Sequence, residues 1–279
     1  MATTAARLRS GRTGELLALA RPVVAGARRH RLVTHATAIA FRVLVALVPL
    51  VLLGIALLGA LGLEDVWTES IAPELQGRFT KPVFEAIDYS ARQIFSQPKL
   101  GLILFASLLL LWESVRAVRA VSNALNEVHE VDERRGSVRV SLVTLGLAVA
   151  ASGLIIAATL ELIVAPRLLS GGVVDVTLTI VRWPVAVLLL GVAVALLVRY
   201  APAEHPQPRW ASAGSAVIVG SWLVLSAGFG IWTTSVASYK SAVGTLLAFL
   251  ILTTYVLSLS GAFLVGVELD EELRQRKER

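Results

Sequence analysis

Arg42, Glu113, Arg116 and Glu268 are ionisable side chains set within or at the ends of long apolar runs, and they are the residues here best placed to do chemistry. A charged side chain in hydrocarbon costs about 3 kcal/mol or more, so it persists where it pairs, lines a polar route or reaches the interface. Arg42 stands six residues into its run, or about 9 Å along a helix. Glu113 lies at a comparable depth on the returning run, Arg116 is one turn nearer the same surface, and Glu268 closes the last run there. The four are expected to form one ion-pair cluster, with Arg42 meeting Glu113 or Glu268. Glu113 and Arg116 also stand at i and i+3 and can share a helix face. The competing reading has both arginines snorkelling to the interface, with Glu268 exposed.

A smaller set lies toward the other surface. Glu161 ends one run and Arg182 opens the next, so the two could pair across a helix hairpin. Pro49 and Pro184 fall inside runs, where a missing N–H can bend a helix and free a carbonyl. Such distortions occur at transporter sites, and also in ordinary membrane helices. Ser226 and Gly230, and likewise Ala262 and Gly266, give small-xxx-small spacings that suit close helix packing. Trp67, Trp183, Trp210 and Trp232 fall near run ends, as an interfacial aromatic belt requires.

Six elements must position these residues. Apolar runs over 36–63, 100–121, 140–164, 176–198, 211–236 and 243–267 each approach the roughly 20 residues that cross the bilayer core. None alternates as a barrel strand would. The expected fold is therefore all-α, a polytopic bundle of six transmembrane helices. Hydrophobic residues make up 56% of the 279 and charged residues 16%, an apolar excess beyond soluble domains.

Lysine and arginine set the orientation. With the N-terminus inside, 18 fall on the inner side and 7 on the outer, Arg42 counted apart, which accounts for all 26. Both termini are thus expected in the cytoplasm. The net charge of +6 is a topology signal. No clustered basic face or recognisable module suggests nucleic-acid binding.

The connections carry less. Residues 1–35 read as a basic cytoplasmic tail, with a short interfacial helix as the alternative, and 268–279 as a charged cytoplasmic tail. The connection 64–99 is expected to form one or two amphipathic helices at the outer interface, Pro73 and Pro82 sitting at helix starts. Packing against the helix ends is the plainer role for it and a substrate lid the sharper one. The run 123–139 alternates acid and base around His129 and reads as a solvated cap. Residues 201–208 read as a stiff proline-rich linker.

Several chemistries are disfavoured. Cysteine is absent, which excludes thiolate catalysis, disulfides and thiolate metal sites. His30, His35, His129 and His205 are scattered and form no metal-binding spacing. No cofactor or metal is expected, and no enzyme activity.

The chain resembles the YihY/BrkB family of bacterial inner-membrane proteins over about residues 17–273. Ala36, Ala40, Phe41 and Pro49 are similar to the family's opening helix, and Arg119 with Ala124-Leu125-Asn126 to the end of its second. Arg199-Tyr200-Ala201-Pro202 with Trp210, Gly214 and Trp222 resembles its fourth–fifth connection. Gly244 and Gly266-Val267-Glu268-Leu269 resemble its last helix. Arg42 replaces a usually uncharged residue, and Val243 stands where the family usually has tyrosine. The resemblance implies a multi-pass protein of the bacterial cytoplasmic membrane. Family members have been labelled virulence factors or a tRNA-processing ribonuclease, and the residues do not support the nuclease label.

Two functions are open: a transporter or exporter of a small molecule or lipid, and a structural or assembly protein of the envelope. The first draws on the intramembrane charges, the second on the small-residue faces and the 64–99 connection. Expected partners are the bilayer itself, a small-molecule or lipid substrate, and a second copy or an envelope component.

Overall fold

Long apolar runs form helices because hydrocarbon offers no partner for backbone N–H and C=O groups. The computed structural model of the chain describes residues 21–79, 81–97, 99–168, 173–203, 212–235 and 242–278. Every regular element among them is helical. Residues 21–29 form α1. The others are α2 (Leu32–Ala60), α3 (Glu64–Val66), a π-helical turn Trp67–Ile71, α4 (Ala72–Arg78), α5 (Lys81–Ser96), α6 (Lys99–Val128), α7 (Ser137–Leu168), α8 (Val173–Tyr200), α9 (Ala213–Ser235) and α10 (Ala242–Glu278).

Among the described residues, α2, α6, α7, α9 and α10 are long and apolar enough to cross a membrane. In α8 the stretch Val187–Tyr200 is apolar, while the side chains over 171–183 lie outside the described residues. Five candidate spans therefore stand where six were expected.

Two expectations change at the helix ends. The last helix does not stop at 267: α10 runs 37 residues to Glu278, about 55 Å of helix against roughly 30 Å of hydrocarbon. Residues 268–278 are thus a packed helical extension, because their carboxylates find buried partners. Pro49 and Pro184 each lie inside an unbroken helix. The basic tail's first 20 residues and linker positions 204–211, with Trp210, fall outside the described residues.

The six long helices alternate in direction and pack in the order α9, α10, α2, α6, α7, α8. The main core gathers near one end, where Leu32 and Ala36 of α2, Leu125 and Val128 of α6, and Leu264 and Val267 of α10 meet. A second cluster joins Leu53 to Ala106 and Leu110 further along. At the opposite end α3–α5 build a small core around Trp67, Ala72 and Ala91. Trp67 is buried there, so it is not part of an interfacial belt. Its Nε1 donates to Asp88 at 2.8 Å, and its ring meets Phe95 edge-on.

The α9–α10 crossing shows what small residues do. A Cβ on Gly266 would strike Ile218, and one on Gly214 would strike the Gly266 carbonyl and Asp270. A Cβ on Gly230 would meet no described atom within 4 Å. Close packing therefore falls at Gly214–Gly266, one helix end away from the expected Gly230. Ser226 pairs with the Tyr255 hydroxyl at 2.9 Å. Ala262 is half-buried on α10.

Candidate functional site

Polar side chains concentrate in two layers, one within the spans and one at the end where the main core lies. The inner layer is a triad. Arg42 on α2 places Nη1 3.7 Å from Glu113 Oε2, and Arg116 on α6 donates to Glu113 Oε1 at 3.2 Å. Glu113 is buried, and its Oε2 has no hydrogen bond among the described residues. Arg42 is about one-third exposed. Each arginine also lies over an exposed aromatic neighbour, Arg42 over Phe41 and Arg116 over Trp112. Counting from Leu32, Arg42 is about 15 Å along α2. At the same level, on the residue after Glu113, Ser114 accepts from the Ser152 hydroxyl at 2.7 Å and ties α7 to α6.

Glu268 is not part of this triad. It is buried in the second layer, its Oε2 2.8 Å from His30 Nδ1. The reason is steric as well as electrostatic. Gly26 on α1 leaves the space the Glu268 carboxylate fills, and any side chain there would collide with it. Arg31, at φ 48°, then turns the chain sharply into α2 and directs His30 inward.

A parallel arrangement ends α6. Glu130, at φ 52°, closes the helix, with the Val131 N–H donating to the Asn126 carbonyl at 2.9 Å. This is a Schellman stop with glutamate where glycine is usual. It presents His129, whose Nδ1 lies 2.9 Å from Glu271 Oε2. Arg274 donates to the other Glu271 oxygen at 2.7 Å. Glu130 meets Arg29 at 3.1 Å and His30 at 3.3 Å, and His35 meets Glu127 at 2.7 Å. Left-handed backbone at a non-glycine residue costs about 1 kcal/mol, and both instances lie next to a histidine bonded to α10. The histidines, apart in sequence, therefore converge on one helix.

The α6–α7 connection is a clamp. Asn126 Nδ2 donates to Glu133 at 3.3 Å, and Asn126 Oδ1 accepts from the Ala203 N–H at 2.7 Å. Arg135 donates to Glu133 at 2.6 Å and to the Ala201 carbonyl at 3.1 Å. These bonds from Arg135 bring the Glu133 carboxyl down to about 2, and Glu133 in turn pushes the Arg135 guanidinium up. On α5, Arg92 and then Trp67 hold the Asp88 carboxyl below its ordinary value. Asp270 accepts from the Gly214 N–H at 2.8 Å and from the Ser212 hydroxyl, capping α9.

Among the other anticipated residues, Glu161 keeps one buried carboxylate oxygen with no hydrogen bond among the described residues. The Arg182 side chain lies outside them. No three histidine, aspartate or glutamate side chains among the described residues stand together so as to hold a metal ion. The His30–Glu268 and His129–Glu271 pairs were missed by sequence reasoning. Their one advance signal is the i, i+3 spacing of Glu268 and Glu271 on a helix that continues past the apolar run.

Comparison with known proteins adds three findings. A family model described as Virulence factor BrkB matches residues 23–279. The chain is 26% identical over 186 residues to the ribonuclease-like protein YfkH of Bacillus subtilis (strain 168), covering 63% of this chain and 67% of that one. No solved structure matches.

Proposed function

The chain belongs to the Virulence factor BrkB family, and from that premise we propose that it transports or exports a small molecule or lipid. We place it in the bacterial cytoplasmic membrane with six spans and both termini inside, the orientation that the 18-to-7 distribution of basic residues favours.

One observation carries the transport reading: the Arg42–Glu113–Arg116 triad within the spans. Two guanidinia flank one carboxylate, leaving one positive charge in excess at a depth where charge is costly. Arg42 is partly exposed and Glu113 keeps an unused acceptor oxygen. A passing solute with an anionic group would meet the partly exposed Arg42, while the buried Glu113 holds both guanidinia in place. The ribonuclease-like name belongs to the Bacillus subtilis relative.

Reconstitution into proteoliposomes with a panel of anionic, cationic and lipid solutes tests this. We expect flux of at least one class, lost in Arg42→Glu and in Glu113→Arg and restored when the two are combined. Wild-type flux in both single variants, or none from the parent, would defeat the reading. The alternative is a structural or assembly protein of the envelope, and the His–Glu pairs favour it by binding three segments into one rigid end. On that reading the variants lose stability and no solute moves.

A further inference from the structure

A cleft of about 250 Å³ opens between the α6–α7 connection and the end of α8, lined by Asp132, Arg134, Arg135, Gly136, Arg139 and Ala203. Its arginines are not equivalent. Arg135 is committed to Glu133 and the Ala201 carbonyl and forms a fixed wall. Arg134 and Arg139 have no hydrogen-bond or ion-pair partner among the described residues. Asp132 opposes them with one negative charge, and Glu133 balances Arg135, so among the described residues the cleft keeps one positive charge in excess.

The surroundings suit a membrane interface. Val138 and Leu142, one residue before and three after Arg139, are 74% and 64% exposed. They share a face of α7, which begins at Ser137 with no acidic residue in its first turn. Apolar side chains beside guanidinia that have no partner among the described residues match an acyl chain beside its headgroup, and arginine pairs bidentately with phosphate.

We infer that this cleft binds a phosphate group, carried by an anionic phospholipid of the adjoining leaflet or free in solution. Arg134 and Arg139 make the contacts, Arg135 shapes the wall, and Asp132 limits affinity. The inference does not depend on transport. It uses residues on the other side of the main core from the Arg42–Glu113–Arg116 triad.

Native mass spectrometry of the full chain tests it, with protein taken from nanodiscs of phosphatidylcholine alone or with equal parts phosphatidylglycerol. The parent should retain phosphatidylglycerol over phosphatidylcholine. Arg134→Gln with Arg139→Gln should weaken retention about thirtyfold, as loss of two interfacial cations predicts. Asp132→Asn should strengthen it, and inorganic phosphate should compete. If phosphate binds but phosphatidylglycerol shows no preference, the ligand is the free anion and the site stands. Three results would overturn the site: equal retention in the double variant, equal loss in Lys81→Gln with Arg92→Gln at the opposite end, or binding of neither phosphate source.

Discussion

The two ends of the helices are closed in different ways. Around Trp67, α3–α5 use a small apolar core with one tryptophan–aspartate bond at its centre. At the other end, buried carboxylates on α10 meet histidines presented by the corners after α1 and α6. An apolar core tolerates exchange of similar volumes. A buried ion or hydrogen-bonded pair does not, because removing one partner strands the other. The polar end should therefore govern which helices associate, and the apolar end should behave as an add-on.

The strongest way to break that contrast is Glu268→Ala. It leaves His30 buried without its partner and should cost about 3 kcal/mol or more, read as a lower unfolding midpoint in mild detergent. A loss no greater than that of a surface substitution would remove the distinction. Next is Gly266→Leu, which must displace Ile218 and the backbone of α9. We expect about 1–3 kcal/mol, while Gly230→Leu stays near zero in the same assay.

Trp67→Phe sharpens the opposite side of the comparison. It keeps an aromatic ring of smaller volume and loses the bond to Asp88, about 1–2 kcal/mol together, and faster hydrogen exchange should be confined to α3–α5. Spread of that effect to α10 would show the two ends to be coupled.

The smallest effect concerns acid. Glu133 titrates near 2 in the fold against an ordinary 4.5, so the unfolded chain takes up the proton first as pH falls. Its stabilisation is complete above about 4.5 and is lost between there and about 2. Glu133 is partly exposed, so solvent screening keeps the amount below about 1 kcal/mol. Glu133→Gln should flatten only this part of the stability profile, with no change of slope near neutrality.

Much of the architecture was legible in residue order. Apolar run length located the long helices, and Pro73 and Pro82 marked the starts of α4 and α5. The site was less so, for a physical reason. Arg116 and Glu113 are three residues apart, and local spacing suffices to place them together. His30 and Glu268 are separated by 238 residues. Beyond their i, i+3 spacing, nothing local distinguishes Glu268 and Glu271 from the solvated charges that follow them, and only the tertiary approach of α1 and α6 buries them. The packing role of Gly214 was hidden similarly, since its contact lies across a crossing and not along one helix.

The packing order α9, α10, α2, α6, α7, α8 sets a timetable for biogenesis. α2 packs on one side against α10, which is made well after it. Until α10 is made, His30 and His129 lack their carboxylates and the small face of Leu32 and Ala36 is uncovered. A chain arrested after α8 would thus present these groups to quality control, however well its earlier helices had inserted. The buried polar end is therefore completed only once α10 has been made.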